Sequence, residues 1–249
     1  MLEVKESRAF ASVTLVWLRR DLPRDRALDY WRSTHGSIVV RNPALGAYRQ
    51  HHFADDEQSL WPSIPGVETQ LPRSGRIDGM PEVALRSVGA AVLSARHNSR
   101  IQRDEANVFH RTIMYLTRPN GAYWFDRDVK PEVLSRCVVL LRKRTGCSAR
   151  SFRLFIEREL TQTLIRSPQV AELRTMIFLP GTHLLWNHRC VAHDVSPALR
   201  FHAAVVVGTH RDRLAATLQS AATSLNADSQ LRHVAAIHAY PVAHTYQLV

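Results

Sequence analysis

The amino-acid sequence predicts an α+β fold of two consecutive βαββαβ units, whose antiparallel sheets pack together as a barrel with the helices outside. Short apolar runs of strand length alternate along the chain with longer stretches of helical periodicity. The same order of elements returns after about 123 residues, from Leu15 to Val138, which indicates duplication rather than a solenoid. A sheet with helices on one face leaves its other face bare, so we expect the two bare faces to cover each other and to enclose a small cavity, into which His35 of the first unit points.

The first unit begins with an apolar strand over residues 13–18, and an amphipathic helix follows it. Pro23 lies where the first turn of a helix tolerates proline, and Trp31 belongs to the apolar face of that helix. Gly36 directly follows His35. We therefore expect the helix to end or kink at this glycine and to leave the imidazole of His35 at its end.

The rest of the first unit completes the βαββαβ order. Asn42 and Pro43 make a turn, and Tyr48, Gln50 and His52 share one face of the second strand, because side chains alternate along a strand. The later elements are a long loop over 54–75, a third strand over 76–84, a helix over 87–107 and a fourth strand over 110–116. This order is the ferredoxin-like topology.

The second unit repeats the order but lacks the polar residues of the first. We predict the first unit over residues 11–125, after a loose leader, and the second over 134–249. Glu159, Leu160 and Thr161 stand near the place of the first unit's histidine–glycine pair. The second unit therefore mainly completes the barrel. Its elements are strands over 136–143, 172–179, 201–207 and 233–240 and helices over 148–165 and 211–225.

The composition is typical of a folded protein that does not cross a membrane. Of the 249 residues, 45% are apolar, which suffices for a core. No apolar run approaches the length of about 18 residues that a membrane span needs. The N-terminal residues contain no apolar signal core, which predicts a cytoplasmic protein. Cys137, Cys147 and Cys190 have no CxxC spacing and are predicted to be reduced thiols.

The formal net charge of +11 is high, but the arginines that carry it are scattered. Short basic runs such as Arg142-Lys143-Arg144 lie at a predicted strand end, and no nucleic-acid-binding motif occurs. We therefore interpret the charge as a solvated surface and predict no nucleic-acid partner. A preference for anionic substrates, carboxylated or linked to coenzyme A, is the alternative.

Short motifs occur in a fixed order within residues 11–125. They are Tyr30-Trp31, Thr34-His35-Gly36, Tyr48-Arg49-Gln50-His51-His52, the segment from Ile77 to Val83 and the segment from Asp104 to Phe109. Together they resemble the EthD family of the dimeric α/β-barrel (ferredoxin-like) superfamily. The resemblance implies a site in the cleft between the sheet and the end of the first helix, where His35, Tyr48 and His52 match lining positions. It also implies that tandem copies build within one chain the barrel that single-unit relatives build as dimers.

A cluster of polar residues in the first unit is the leading candidate for chemistry. Imidazole titrates near neutrality, so His35 is predicted to be the general acid or base, while His52 and Tyr48 bind or polarise a carbonyl or phenol oxygen. Asp78 and Glu82 share strand parity and are expected to orient a histidine or bind substrate. The alternative is that these are core residues whose polar side-chain atoms are hydrogen-bonded within the protein. The predicted apolar walls are Trp17, Trp31, Trp61 and Met114.

A second cluster of metal-ligating residue types lies in a loop of the second unit. His183, His188, Cys190 and His193 could bind zinc or another transition metal, and the superfamily resemblance adds haem. Their spacing matches no familiar zinc motif, so a solvated loop is the simpler interpretation. We therefore predict no metal ligand and no cofactor, with haem as the alternative.

The sequence favours a small-molecule enzyme that acts by general acid/base catalysis. The resemblance suggests a cofactor-independent lyase, isomerase or cyclase acting on a hydrophobic, aromatic or polyketide-like metabolite. No GxGxxG, P-loop, GxSxG or HExxH motif occurs, which disfavours nucleotide-binding, serine-hydrolase and zincin functions. A non-catalytic ligand-binding accessory protein of an oxidative catabolic pathway and a haem-dependent enzyme of the same superfamily stay open, as does a homodimer.

Overall fold

Nine antiparallel strands organise the part of the chain that the computed structural model describes, which comprises residues 4–55, 58–72, 75–129, 133–189, 191–193, 196, 200–210, 212–227 and 230–249. The strands are β1 (Val4–Leu18), β2 (Leu45–Phe53), β3 (Gly79–Leu85), β4 (Phe109–Leu116), β5 (Ala122–Arg127), β6 (Leu134–Lys143), β7 (Val170–Ile177), β8 (Ala203–His210) and β9 (Val234–Gln247).

The helices lie between the strands in two groups. In the first half, α1 (Arg24–Tyr30) continues through a π-helical turn (Trp31–His35) into α2 (Gly36–Val39), and α3 (Val88–Leu93) is followed by α4 (Ala95–Glu105). In the second half, α5 (Ala149–Leu154) continues through a π-helical turn (Phe155–Leu160) into α6 (Thr161–Arg166), and α7 (Leu214–Ala227) follows β8. Among the residues described, no helix has both the length and the apolar character that crossing a membrane requires.

Eight strands close into a ring. Their order is β1-β3-β2-β9-β6-β8-β7-β5 and back to β1, and β4 flanks β1 beside β5. The first half follows the neighbour order β4-β1-β3-β2, and the second half follows β9-β6-β8-β7. Both halves therefore place their strands in the same relative order. The α+β barrel predicted from the sequence is confirmed at this level.

The two joints of the ring are strand segments that the sequence analysis left out. Residues 4–9 of β1 pair with β5, and β5 pairs with β7 on its other side. At the second joint, the end of β9 pairs with β2, from Val242 opposite Phe53 to Gln247 opposite Arg49. The expected loose leader is thus a strand from residue 4 onward. The predicted end of the first unit, residue 125, falls inside β5.

Side chains from all nine strands fill the middle of the ring. In β1 the odd-numbered residues face inward and the even-numbered residues face the helices, because side chains alternate along a strand. The inward cluster is apolar and almost entirely buried. Its largest members are Leu15, Trp17, Phe53, Met80, Tyr115, Phe178, Phe201 and Tyr240.

One end of the ring interior holds a cluster of buried charges. Glu172 accepts hydrogen bonds from Arg136 at 2.8 Å and from Arg174 at 3.3 Å, and it also pairs with Arg49. Burial would raise the pKa of Glu172, but these arginines outweigh it and hold the pKa at about 2. A charged cleft of about 690 Å³ opens at this end of the barrel and is lined in part by Glu172 and Arg136.

The outer face of the second half is covered by large apolar side chains. Phe152, Phe155, Ile156, Leu160 and Leu164 of the α5–α6 run pack on the sheet and are each at most 2% exposed. Part of the loop between β2 and β3 joins this cluster through Trp61 and Ile64. The space between this face of the barrel and its helices is therefore filled by a hydrophobic core.

A glycine determines how the first helix lies on the sheet. Gly79 of β3 is in contact with the indole of Trp31, and a Cβ at this position would lie 2.5 Å from Trp31 Cη2 and 2.6 Å from the His51 carbonyl oxygen. The helix does not end at Gly36 as expected. Gly36 keeps helical dihedral angles, and its missing side chain leaves room for Gln50 and Leu248.

We expect the substitution Gly79→Ala to destabilise the protein by about 1–3 kcal/mol, because the added methyl group overpacks the contact between β3 and Trp31. Urea unfolding followed by circular dichroism measures the change in the free energy of unfolding. Gly46→Ala in β2 is the matched control, since its Cβ would have no neighbour nearer than 3.6 Å. Equal stabilities of the two variants would contradict this account of how Trp31 is positioned.

Candidate functional site

A cavity of about 320 Å³ lies between the outer face of the first half's sheet and the helices that cover it. This volume is at the lower end of the range of small-molecule pockets, about 300–1,000 Å³. The strands contribute Phe10, Thr14, Val16, Tyr48, Val83 and Met114 to its wall, and the helices contribute Trp31, His35, Val39, Ile101 and Glu105. The cleft between sheet and helix that the resemblance implies is thus present. The expectation that His35 points into a cavity between the two sheet faces was wrong, because apolar side chains fill the ring interior and His35 lies on the outer side of the sheet.

His35 lies in the π-helical turn and is held by a carboxylate. Its Nδ1 is 2.8 Å from Asp104 Oδ2, and the His35 side chain is 5% exposed. Asp104 also accepts hydrogen bonds from the Tyr30 hydroxyl at 2.8 Å and from Asn107 Nδ2 at 3.1 Å. Burial raises the pKa of Asp104, but these three hydrogen bonds outweigh it and lower the pKa below its usual range. Asp104 is therefore a carboxylate at neutral pH.

The partner at Nδ1 determines what the other ring nitrogen of His35 can do. A carboxylate can only accept hydrogen bonds, so Nδ1 carries the ring proton and donates a hydrogen bond to Asp104. In the neutral ring, Nε2 then carries a lone pair. Because His35 lines the cavity, a ligand there meets an oriented imidazole with a free basic nitrogen. The pair of His35 and Asp104 has the arrangement of a general base and its orienting group.

Tyr48, Gln50 and His52 form a hydrogen-bonded row on the helix-facing side of β2. Gln50 Nε2 donates to Tyr48 Oη at 2.8 Å and to the Trp31 carbonyl oxygen at 3.0 Å, and Gln50 Oε1 is 3.0 Å from His52 Nε2. Since Tyr48 Oη accepts from Gln50, its own O–H is left to donate. Burial raises the pKa of Tyr48, so the hydroxyl stays protonated. Tyr48 lines the cavity and is a hydrogen-bond donor for a ligand.

His52 occupies a different environment from His35. Its ring stacks on Trp31 with a centroid distance of 4.1 Å, and it is not among the cavity's lining residues. Burial lowers the pKa of His52 to about 3, and nearby positive charges act in the same direction. His52 is therefore neutral at physiological pH, and it fixes Gln50 and through it Tyr48.

A segment of the second half closes one side of the cavity. Glu105 is 4% exposed and accepts hydrogen bonds from Trp186 Nε1 at 3.0 Å and His188 Nε2 at 2.9 Å, and from Thr112 Oγ1 at 3.0 Å. Leu185 and Trp186 line the cavity. His193 Nδ1 is 2.9 Å from the Thr112 carbonyl oxygen. We call the described residues 182–189 and 191–193 the cap.

The histidine-rich loop thus contributes to the cavity wall. Its members His188 and His193 have ring centroids 4.5 Å apart, while the side chain of His183 and residue Cys190 lie outside the described residues. Where side chains are described, no group of three or more histidine, cysteine, aspartate or glutamate residues is arranged to hold a metal ion.

The structure places five predicted site residues away from the cavity, His52 and the four that follow. Asp78 pairs with Arg24 and accepts from the Leu18 N–H at 2.9 Å, so it joins the end of β1 to the first helix. Glu82 faces the ring interior, where Glu82 Oε2 is 3.5 Å from His51 Nε2. Trp17 belongs to the ring interior, and Trp61 belongs to the core of the second half. Trp31, His35, Tyr48 and Met114 line the cavity.

The sequence analysis did not identify Asp104, Glu105 or Trp186 as site residues. Two adjacent acidic residues at the end of α4 are a usable signal, because the negative end of the helix dipole disfavours carboxylates there unless they are paired. Both are paired, Asp104 with His35 and Glu105 with the cap. Trp186 gave no such signal, because it approaches the cavity only through the long-range packing of the cap.

Comparison with known proteins shows the fold. A monooxygenase candidate from Lactobacillus acidophilus superposes with a TM-score of 0.54 at 7% sequence identity, over 97% of this chain and 95% of that one. A second monooxygenase candidate, from Fusobacterium nucleatum, gives a TM-score of 0.53 at 6% identity, over 95% and 92% of the two chains. A chlorite dismutase mutant from Candidatus Nitrospira defluvii reaches 0.49 at 11% identity, over 96% and 93%.

The two monooxygenase candidates share the overall fold of this chain, at identities too low to carry over an activity. No protein-family model matches the chain, and no curated protein does. Membership of the EthD family stays a prediction.

We expect the neutral ring of His35 to carry its proton on Nδ1 and a lone pair on Nε2, because Asp104 accepts from Nδ1. NMR of the protein with ¹⁵N-labelled histidine distinguishes the two ring nitrogens. Asp104→Asn should weaken this tautomer preference, while Tyr30→Phe, which removes one hydrogen bond to Asp104 but keeps its charge, should preserve it. A neutral His35 ring with its proton on Nε2 in the unaltered protein would contradict the assignment.

Proposed function

We propose that the protein is a small-molecule enzyme that acts by general acid/base catalysis on a neutral, largely apolar compound with a carbonyl or phenol oxygen. The observation that carries the proposal is His35, which Asp104 holds at Nδ1 at 2.8 Å and which borders an apolar cavity. A buried and oriented imidazole is suited to removing a proton from carbon near neutral pH. Many lyase, isomerase and cyclase reactions contain such a step.

In the proposed step, His35 Nε2 removes a proton from the carbon next to the carbonyl group. The electrons of the broken C–H bond form the enolate, and its oxygen accepts a hydrogen bond from the Tyr48 hydroxyl. Asp104 stabilises the imidazolium that results. The imidazolium then returns the proton to carbon, at the same or a neighbouring position. In an elimination, the enolate electrons instead form a C=C bond, the bond from the β-carbon to a leaving group breaks, and the imidazolium protonates the leaving group. No external oxidant or reductant enters this sequence.

The charges of the cavity wall support a neutral substrate. Among the described lining residues there is no lysine or arginine, and the ionisable groups are His35, Tyr48 and Glu105. A carboxylate, phosphate or coenzyme A thioester would leave water for this wall without a cationic partner. We therefore propose that the net charge of +11 belongs to the surface, and that the substrate of this cavity carries no negative charge.

Haem does not fit the described wall of the cavity. The His35 Nε2 lone pair is a suitable axial ligand, but the two haem propionates would find no arginine or lysine among the described lining residues. Our proposal therefore uses no haem.

The same relative strand order in both halves supports a tandem of two ferredoxin-like units. This tandem is part of the proposal, together with EthD membership and a cytoplasmic location.

Deuterium exchange into 2-tetralone tests the proposed chemistry, since this neutral aromatic ketone has acidic protons beside its carbonyl group. In deuterated buffer, NMR follows the loss of these protons. We expect exchange to exceed that caused by an equal concentration of free imidazole. His35→Ala should slow it at least about a hundredfold, and Tyr48→Phe should slow it by a comparable factor while leaving the base intact.

The control is His97→Ala, which removes an exposed histidine of α4 that does not line the cavity and should leave the rate unchanged. Exchange no faster than with imidazole, or equal rates for His35→Ala and His97→Ala, would contradict the proposal. Binding of 2-tetralone that survives His35→Ala, without exchange in any variant, would instead favour the ligand-binding accessory protein.

A further inference from the structure

The cavity changes in character from its closed end to its mouth. At the closed end, His35 is 4% exposed and Tyr48 is 1% exposed. Three other lining residues are large, apolar and exposed, Val88 at 49%, Val92 at 70% and Leu185 at 65%. The polar atoms that would hold an oxygen are therefore buried, while apolar side chains meet the solvent.

The exposed apolar residues come from two separate elements. Val88 and Val92 are four residues apart on α3 and so share one face of that helix. Leu185 belongs to the cap, at the end of the short helical turn Thr182–Leu184. Both elements border the same cavity, which makes its mouth an apolar rim with two sides. Exposed apolar groups of this kind are unfavourable in water unless a ligand covers them.

The cap and α3 are attached to the rest of the protein in different ways. The cap is fixed to the first half through Glu105, which accepts from Trp186 and His188, and through Thr182 Oγ1, which accepts from the Leu116 N–H at 3.1 Å. Ser87 is the N-cap of α3, where its side chain accepts from the Ala90 N–H, and Val88 and Val92 of this helix are exposed. A rim with one fixed side and one exposed helix suits an apolar chain that passes between them.

We propose that the substrate carries an apolar tail, alkyl or polyene, which leaves the cavity between α3 and the cap while its oxygen-bearing ring or carbonyl lies at His35 and Tyr48. This inference rests on the proposed function and specifies the substrate class of the same site. The substrate is then an amphipathic molecule with an uncharged polar head, rather than a compact ring compound that the cavity encloses completely.

A series of 4-alkylphenols tests the tail, because the phenol head stays the same while the chain grows. Isothermal titration calorimetry gives the dissociation constants of 4-ethylphenol, 4-butylphenol and 4-hexylphenol. We expect the affinity to rise about two- to fourfold for each added methylene group. This is the gain in affinity expected when a methylene group is partly or fully removed from water.

Leu185→Asp and Leu184→Asp form a matched pair for the direction of the tail. The two leucines are neighbours of almost equal exposure, 65% and 67%, but only Leu185 lines the cavity. Leu185→Asp and Val92→Asp should weaken 4-hexylphenol binding at least about tenfold, and 4-ethylphenol binding much less. Leu184→Asp should preserve the dependence on chain length.

Each other outcome overturns the inference. Affinity that does not rise with chain length means that no apolar tail is bound, although binding of 4-ethylphenol would still support the head site. A dependence on chain length that Leu185→Asp and Val92→Asp leave intact places the tail elsewhere. Equal effects of Leu184→Asp and Leu185→Asp indicate a non-specific surface effect. If no phenol binds, the proposed function fails and the inference fails with it.

Discussion

The packed interior of the eight-stranded ring is the constraint on which the rest of the structure depends. Nine strands send large side chains inward, among them Trp17, Phe53, Tyr115 and Tyr240, and each of these is at most 2% exposed. At protein packing density such an interior has no volume for a substrate. A ligand site must therefore lie at the charged end of the ring or on an outer face, between the sheet and the helices.

The two outer faces differ because their helices present different side chains. In the second half, Phe152, Phe155 and Leu160 extend from the helix onto the sheet and pack as a core. In the first half, the corresponding helix presents Trp31, His35 and Val39, and α4 presents carboxylates at its end. The first half gives up some apolar packing there and gains a cavity with a polar closed end. The second half contributes stability and also supplies the cap.

Each of the hydrogen bonds that build the polar site joins two different segments of the fold. His35 in the first helix meets Asp104 in α4, Gln50 in β2 meets the Trp31 carbonyl, and Glu105 meets the cap. The π-helical turn at Trp31–His35 brings both residues to the same cavity, and such turns are frequent at functional sites. Gly79 lets the Trp31 ring approach the sheet. The contact with Asp104 fixes the imidazole directly, while the other two hold the first helix and the cap, which border the cavity.

The sequence predicted those parts of the fold that depend on local pattern. Apolar runs and helical periodicity located most of the strands and helices, and His35, Tyr48, Trp31 and Met114 line the cavity. The joints between the halves could not be found this way, because the pairing of residues 4–9 with β5 and of the end of β9 with β2 depends on long-range register. Trp17 could equally have faced the helices, since a strand residue of high hydrophobicity fits either side of a sheet. The position of Trp61 in the core of the second half depends on the long-range packing of the loop between β2 and β3. Asp104 was missed because its partner lies 69 residues away.

A crystal structure of the protein with 2-naphthol, which resembles the enol of 2-tetralone, is the most direct test of where the site lies. We expect the naphthol ring in the cavity between Ile101 and Met114, with its hydroxyl oxygen within about 3.2 Å of Tyr48 Oη. The ring carbon next to that oxygen should face His35 Nε2, with His35 Nδ1 still bonded to Asp104. Naphthol bound instead in the charged cleft at the end of the barrel, or bound in the cavity with His35 Nε2 turned away from it, would contradict the account.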